Sequence, residues 1–176
     1  MEQKLPNKIR IPRLQRDYVQ GLNPSVIVPF VEALLGKSTI HLNYIYGPQP
    51  SEEMGFEPVD GQQRLTTLWL LRLCLSKMAA QPFTDELTFS AREYADSFCR
   101  ALMQATAEDL KEPQKAKWFI KAWGTDTSVK AMMATIKVIH DKLQQIQDPA
   151  EILEGLENRV DYCLLPLDDN INEDIY

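Results

Sequence analysis

The sequence is poor in the side chains from which metal centres and disulfide frameworks are built. Its 176 residues include only two histidines, His41 and His140. Neither has a second histidine or a cysteine at the spacing of a metal site, so an HNH-type nuclease centre cannot be assembled from them. The cysteines are few, far apart and set among apolar residues, which predicts buried thiols rather than disulfides or zinc ligands. They are Cys74, Cys99 and Cys163.

Several other signatures are missing. No glycine-rich stretch leads into Gly-Lys-Ser or Gly-Lys-Thr, so a P-loop is excluded, and no serine or cysteine has a candidate base beside it. No apolar run is long enough to span a membrane, and the N-terminal residues are charged, which predicts a cytoplasmic protein without membrane contact. The net charge of −6 argues against a surface coated for nonspecific nucleic-acid binding but is compatible with a local basic patch.

One basic stretch is present, between residues 4 and 16. It holds five cations and no acidic residue, and Ile9 and Ile11 alternate within it as in a short strand. One interpretation is an edge strand guarded by charge. The other is a strip that faces phosphate, with Gln15, Arg16 and Tyr18 turned toward a common cavity. The cations are Lys4, Lys8, Arg10, Arg13 and Arg16.

The most informative stretch runs from Phe56 to Met78, where an apolar approach becomes a polar cluster and then an apolar segment. From Leu65 onward almost no polar face is left, which predicts a buried helix. Asp60 is a suitable N-cap residue for this helix, and Gly61 permits close approach of other groups to its first turn.

Two interpretations stay open for the joint between this polar cluster and the helix. In the first, Asp60 caps the helix and Arg64 is its ion-pair partner, with no further role. In the second, the free N–H groups of the first turn and the positive end of the helix dipole form an anion site, and Arg64 supplies a planar fork for phosphate. Neutral donors and acceptors would then come from Gln62, Gln63, Thr66 and Thr67.

The remaining patterns predict an α+β fold. A strand at 39–46 and the segment ending at Val59 are expected to form a hairpin that places the joint at a sheet edge. From residue 81 on, helical patterns predominate. This change divides a small mixed-sheet part, 1–80, from a mainly helical part, 81–176, that closes with a strand-like segment. Helices are expected at 25–35, 91–105, 113–123, 128–147 and 150–158, and the strand-like segment at 160–167.

Residues 11–18 and 60–67, in this order and at this separation, resemble the N-terminal domain of the GmrSD-type restriction endonucleases, a ParB/sulfiredoxin-like family marked by a DGQQR motif. That motif corresponds here to Asp60–Arg64. Looser matches extend the resemblance over essentially the whole chain, at 91–93, 98–99, 126–130 and 164–168. The resemblance implies a ParB/sulfiredoxin-like mixed sheet with the motif at a strand-to-helix joint, and a C-terminal nuclease domain that would lie beyond Tyr176.

The resemblance and the anion-site interpretation together predict a nucleotide-binding, NTP-hydrolysing regulatory module of a modification-dependent restriction or anti-phage enzyme. GTP, UTP and CTP are not distinguished. Any catalysis would run through Asp60, Gln62, Gln63 and Arg64, with a glutamine positioning the attacking water and Asp60 orienting that water or a Mg²⁺ ion. The residues expected to bind the nucleotide are Gln15, Arg16, Tyr18, Gly61, Thr66 and Thr67.

Two alternatives belong to different classes. The first is a DNA-sensing module without chemistry, whose pocket accepts a phosphate or a modified base and whose helical part relays the event to a partner domain. The second is a structural interaction module, because a capped helix and a guarded edge strand would account for much of the motif. Under all three hypotheses, the chain is expected to hold no nuclease centre of its own.

Overall fold

The computed structural model describes residues 6–166, with side chains up to residue 163. The fold class is α+β, as predicted. Four strands and five helices occur in this part of the chain: β1 Lys8–Ile11, α1 Pro24–Leu35, β2 Ile40–Gly47, α2 Gln62–Met78, β3 Glu86–Phe89, α3 Glu93–Gln104, α4 Thr127–Leu143, α5 Pro149–Arg159 and β4 Val160–Pro166. Short 3-10 turns lie at Gln20–Leu22, Asp109–Lys111, Pro113–Lys115 and Lys121–Thr125.

The centre of the molecule is α2, as its apolar sequence predicts. Leu70, Leu71 and Leu73 have no solvent exposure, and α2 contacts both α4 and α5. Burying a helix on nearly all sides removes a large apolar area from water, which is the main stabilising contribution in a fold of this size. Because α2 is fixed by this packing, the groups at its first turn have a defined position.

The strands form two separate two-stranded parallel sheets, β1 with β3 and β2 with β4. Ile9 lies opposite Leu87 in one sheet, and Ile40 lies opposite Val160 in the other. Both sheets therefore join a strand from the 1–80 part to a strand from the 81–176 part. The sheets are parallel rather than mixed, and the ParB/sulfiredoxin-like relationship stays a prediction.

The expected hairpin is wrong. Among the described residues, the segment before the motif forms no ladder with β2 beyond an isolated bridge between Tyr46 and Asp60. Next to this bridge the Val59 N–H donates to the Tyr46 carbonyl at 2.7 Å. Pro58 has no N–H with which to continue a ladder. The strand that pairs with β2 is β4, and Phe56 forms a bridge with Ile9 of β1 instead.

A second expectation, the helix at 113–123, is also wrong. This segment contains only short 3-10 turns, and its rings Trp118, Phe119 and Trp123 all contact Phe98, with centroids 5.7 to 6.3 Å from it. Residues one and five positions apart point in different directions on an α-helix, so a regular helix could not direct all three rings at one partner. The irregular backbone lets them share it.

The helices expected at 25–35, 91–105, 128–147 and 150–158 are confirmed, with end points that differ by a few residues. Cys74 and Cys99 are buried, as expected, and burial raises the pKa of Cys74 to about 12. Cys163 is exposed, against expectation, because it follows the buried Tyr162 on β4 and so points to the opposite face of the strand.

Residues 167–176, which include the end of the predicted strand and the acidic segment after it, lie outside the described residues. Within 6–166, no helix combines the length and the apolar character needed to cross a bilayer.

Candidate functional site

A cavity of about 700 Å³ opens at the first turn of α2. One wall is the loop between β1 and α1 together with the start of α1, and the other is the DGQQR motif. Seven of the predicted site residues line it: Gln15, Arg16, Asp60, Gly61, Gln62, Gln63 and Arg64. The two motifs that the sequence places more than forty residues apart therefore meet at one surface.

The N-cap position of α2 is taken by Gly61 and not, as expected, by Asp60. Gly61 has a φ of +95°, a conformation that glycine adopts without strain, and a Cβ on it would approach Ile45 to 3.1 Å. Asp60 lies one residue too early to cap the helix, and its carboxylate is 3.4 Å from Arg64 in an ion pair. Within residues 6–163 no side chain caps the first turn of α2, so the N–H groups of this turn lie at the cavity without a side-chain acceptor.

Both ends of the Gln63 carboxamide are hydrogen-bonded to the loop. Its Oε1 accepts hydrogen bonds from the backbone N–H groups of Val19 and Gln20 at 2.9 and 3.1 Å. Its Nε2 donates to the carbonyl of Asp17 at 2.8 Å. Because two backbone donors fix the identity of the oxygen, the orientation of this amide is unambiguous. Gln63 ties the loop to α2.

Gln62 is buried and makes one such contact, from its Nε2 to the carbonyl of Arg16 at 3.0 Å. Its Oε1 has no protein partner among the described residues. Arg16 itself is exposed, and across 6–166 its guanidinium takes part in no ion pair or hydrogen bond. An unpaired arginine at the rim of a cavity is available to a ligand.

The guanidinium of Arg64 is directed mainly at β2. It donates to the carbonyl of Leu42 and, at 3.1 Å, to that of Tyr44. The ladder between β2 and β4 is interrupted between His41 and Tyr44, where Asn43 has a φ of 61°. Arg64 thus supplies donors to backbone carbonyls of β2 at and next to this break. The predicted Asp60–Arg64 pair is present in addition.

Tyr18, Thr66 and Thr67 do not line the cavity, although they were expected to bind nucleotide. All three are buried behind the wall. The Tyr18 hydroxyl lies 2.7 Å from Thr67 Oγ1 and 2.7 Å from Thr135 Oγ1. Burial raises the pKa of Tyr18 to about 12, so it stays protonated at neutral pH. These side chains join the loop to α2 and α4.

The rest of the lining comes from residues that the sequence did not single out as site residues: Val19, Gln20, Asn23 and Val26. Asn23 caps α1 by accepting from the Ser25 N–H at 3.2 Å, and the Asn-Pro-Ser start of that helix was the available signal for its position. Gln20 receives the Thr67 hydroxyl at 2.8 Å. Val19 and Val26 give the cavity an apolar side opposite the motif.

Asp60 is the one acidic residue among those that line the cavity. In the described part of the chain, no three His, Cys, Asp or Glu side chains converge as a metal-binding group. A Mg²⁺ ion held by Asp60 would take its other ligands from phosphate and water, which is how Mg²⁺ is commonly bound.

The fold and the cavity define an α+β domain with a ligand-sized pocket at an uncapped helix start. The family model of the GmrSD restriction endonuclease N-terminal domain matches residues 2–174. The chain belongs to this family, and membership indicates a role in restriction. No curated protein and no solved structure matches the chain.

Proposed function

We propose that the cavity binds a nucleoside triphosphate and that the chain is the NTP-hydrolysing regulatory module of a modification-dependent restriction or anti-phage endonuclease. The observation that carries the proposal is that two features lie on the two walls of one cavity. One is Arg16, which has no partner among the described residues, and the other is the uncapped N-terminus of α2. Both features attract anions, and phosphate is the anion that the two together suit best.

The dimensions of the cavity fit this ligand. A volume of about 700 Å³ falls within the range of roughly 300 to 1,000 Å³ that small-molecule sites occupy. The phosphates would lie against the N–H groups of Gln62 and Gln63, with Arg16 on the opposite side. The base and sugar would then lie toward Val19 and Val26, the apolar side of the same cavity.

The contacts within the motif divide its catalytic roles. Both ends of the Gln63 carboxamide are bonded to backbone groups, so this side chain holds the loop and is not assigned to the attacking water. Gln62 Oε1 has no partner among the described residues, and the Asp60 carboxylate on the cavity wall contacts Arg64 through Oδ2, at 3.4 Å, and leaves Oδ1 to a ligand. We assign the orientation of the water to Gln62 and that of the water or a Mg²⁺ ion to Asp60.

The test is calorimetric titration of the protein with GTP, UTP, CTP and ATP, with and without Mg²⁺. We expect binding, and a loss of affinity of about 10- to 100-fold in Arg16→Ala, since a charge-assisted hydrogen bond contributes roughly 1.5 to 3 kcal/mol. Arg13→Ala is the matched control, because Arg13 is an exposed arginine on the same loop that does not line the cavity. Its affinity should equal that of the wild type.

Three results would contradict the proposal. Absence of binding for every nucleotide would refute it, and equal effects of Arg16→Ala and Arg13→Ala would favour the purely structural module. Binding of DNA without nucleotide, weakening steeply as salt is added, would favour the DNA-sensing module instead. Hydrolysis is tested separately by phosphate release, which Asp60→Asn should abolish while nucleotide binding persists.

A further inference from the structure

We propose that Arg92 is a positioning residue for this site, one that holds the two residues on either side of Arg16 so that the Arg16 guanidinium faces the cavity. The inference rests on the proposed function. Arg92 belongs to a different part of the chain, at the start of α3, and does not itself line the cavity. It therefore acts through the loop and not by touching the nucleotide.

The Arg92 guanidinium contacts the loop at two points. Arg92 Nη1 lies 2.5 Å from the carboxylate of Asp17 in an ion pair, and Nη2 donates to the carbonyl of Gln15. These two residues flank Arg16. A planar guanidinium can bind two groups at once in a fixed relation, which a lysine ammonium cannot reproduce.

Arg92 completes a set of three donors on three successive carbonyls. The Gln15 carbonyl accepts from Arg92, the Arg16 carbonyl from Gln62, and the Asp17 carbonyl from Gln63. The loop thus has its backbone fixed at every residue from 15 to 17, while the Arg16 side chain is left without a partner among the described residues. A backbone held this firmly beside a free cation is the arrangement expected of a preorganised binding group.

The position of Arg92 is not explained by the needs of α3. It occupies the N-cap position of that helix and makes no capping hydrogen bond. A cation at a helix N-terminus is unfavourable with respect to the helix dipole, and the acidic residues Glu93 and Asp96 of the first turn already supply the favourable charge. The contacts of Arg92 with the loop are the favourable interactions that account for it.

Asp17 is also held from a third side. Its Oδ1 accepts from Ser128 Oγ at 3.3 Å, and the same hydroxyl accepts from the Tyr18 N–H at 3.0 Å. Loss of Arg92 would therefore leave Asp17 near its place and free the Gln15 carbonyl, while the Gln15 Nε2 would still donate to the Val59 carbonyl at 2.7 Å. The backbone on one side of Arg16 would be held less firmly. We expect a partial loss of function and not unfolding.

A double-mutant cycle on nucleotide affinity tests the proposal, with GTP, UTP and CTP as ligands. Arg92→Ala should weaken binding about fivefold, as expected when one side chain and its loop must be ordered on binding. In an Arg16→Ala background the same change should have no further effect, because the residue through which it acts is gone. Arg100→Ala is the matched control, since Arg100 is an exposed arginine on α3 whose one ion-pair partner in the described part of the chain is Asp96. Arg92→Lys should give an intermediate affinity.

The loop itself supplies a readout that needs no nucleotide. Amide hydrogen exchange at residues 15–18 should be faster in Arg92→Ala than in the wild type or in Arg100→Ala. Unchanged exchange would overturn the proposal, as would an equal loss of affinity from Arg92→Ala with and without Arg16. If no nucleotide binds while exchange accelerates as expected, the positioning of Arg16 stands and the proposed function fails.

Discussion

Two cavities of nearly equal size lie at opposite ends of α2, and they differ in almost every other respect. The motif cavity measures about 700 Å³ and the second cavity about 640 Å³. The second is formed by the far end of α2, residues 81–85 and the start of α5. Its charged lining is one arginine and five acids: Arg72, Asp85, Asp148, Glu151, Glu154 and Glu157.

The two cavities differ in whether their arginine is ion-paired and in whether their helix N-terminus is capped. In the second cavity Arg72 is paired with both Asp85 and Glu157, and the N-terminus of α5 is capped by Asp148. In the motif cavity Arg16 is unpaired within 6–166 and the N-terminus of α2 is uncapped. Size therefore does not identify the ligand site. The distinguishing property is an unsatisfied preference for negative charge.

The largest effect is expected from Arg72→Met, which tests whether the two cavities are independent. Arg72 and Asp85 form an ion pair with side chains only 15% and 11% exposed. Removing the cation leaves a nearly buried carboxylate unpaired, which costs on the order of 3 kcal/mol in the free energy of unfolding. Chemical denaturation measures this loss, and nucleotide affinity should not change. Asp85→Asn in the same background should recover part of the stability; a large change in affinity would show that the cavities are coupled.

The same variant has a predictable pH dependence. Burial raises the pKa of Asp85, while the Arg72 charge opposes that rise. The folded state thus binds the Asp85 proton more tightly than the unfolded chain, so this group lowers stability as pH rises above the ordinary aspartate range, about pH 4. Without Arg72 the opposing effect is lost. The destabilisation by Arg72→Met should therefore be smaller near about pH 4 than at neutral pH, as denaturation at both values would reveal.

Arg64→Met is expected to have the next largest effect, and it separates charge from structure at the motif cavity. Arg64 donates to two carbonyls of β2 at the break in its ladder. Hydrogen bonds from a charged donor contribute about 1.5 to 3 kcal/mol, so we expect a loss of roughly 2 kcal/mol in stability. Affinity should fall less than in Arg16→Ala. A large loss of affinity with unchanged denaturation would show instead that Arg64 is the main phosphate ligand.

Sequence reasoning succeeded where a single element carries its own signal. The apolar content of α2 and the periodicity of α4 predicted both helices, and the Asp60–Arg64 and 11–18 motifs predicted that Gln15 and Arg16 would lie beside the motif, as they do. It failed where the determinant lies elsewhere in the chain. The partner of β2 is β4, near the other end of the described residues, and strand pairing over such a separation leaves no local pattern.

The roles within the motif were equally inaccessible from the sequence. A glutamine that holds a loop and a glutamine that positions water have the same spacing, and only the backbone partners of Gln63 distinguish them. Arg92 was noted as part of the family pattern, but its function depends on Gln15 and Asp17, far away along the chain. The Tyr18 and Thr67 hydroxyls satisfy each other inside the core, and Thr66 is buried beside them in α2, which residue type alone does not indicate.

Asp148→Ala should have the smallest effect and tests the comparison most directly. Asp148 Oδ1 accepts from the Glu151 N–H at 3.0 Å, and loss of an N-cap side chain costs about 1 kcal/mol. The change makes the start of α5 uncapped, like that of α2, within a cavity of similar volume. If an uncapped helix start were sufficient, the variant would gain affinity for inorganic phosphate at this cavity. We expect no gain, because Asp85, Glu154 and Glu157 repel anions and Arg72 is already paired. Calorimetry with phosphate, in an Arg16→Ala background that weakens the motif cavity, decides the matter. A new site there would show that capping, and not the free arginine, distinguishes the two cavities.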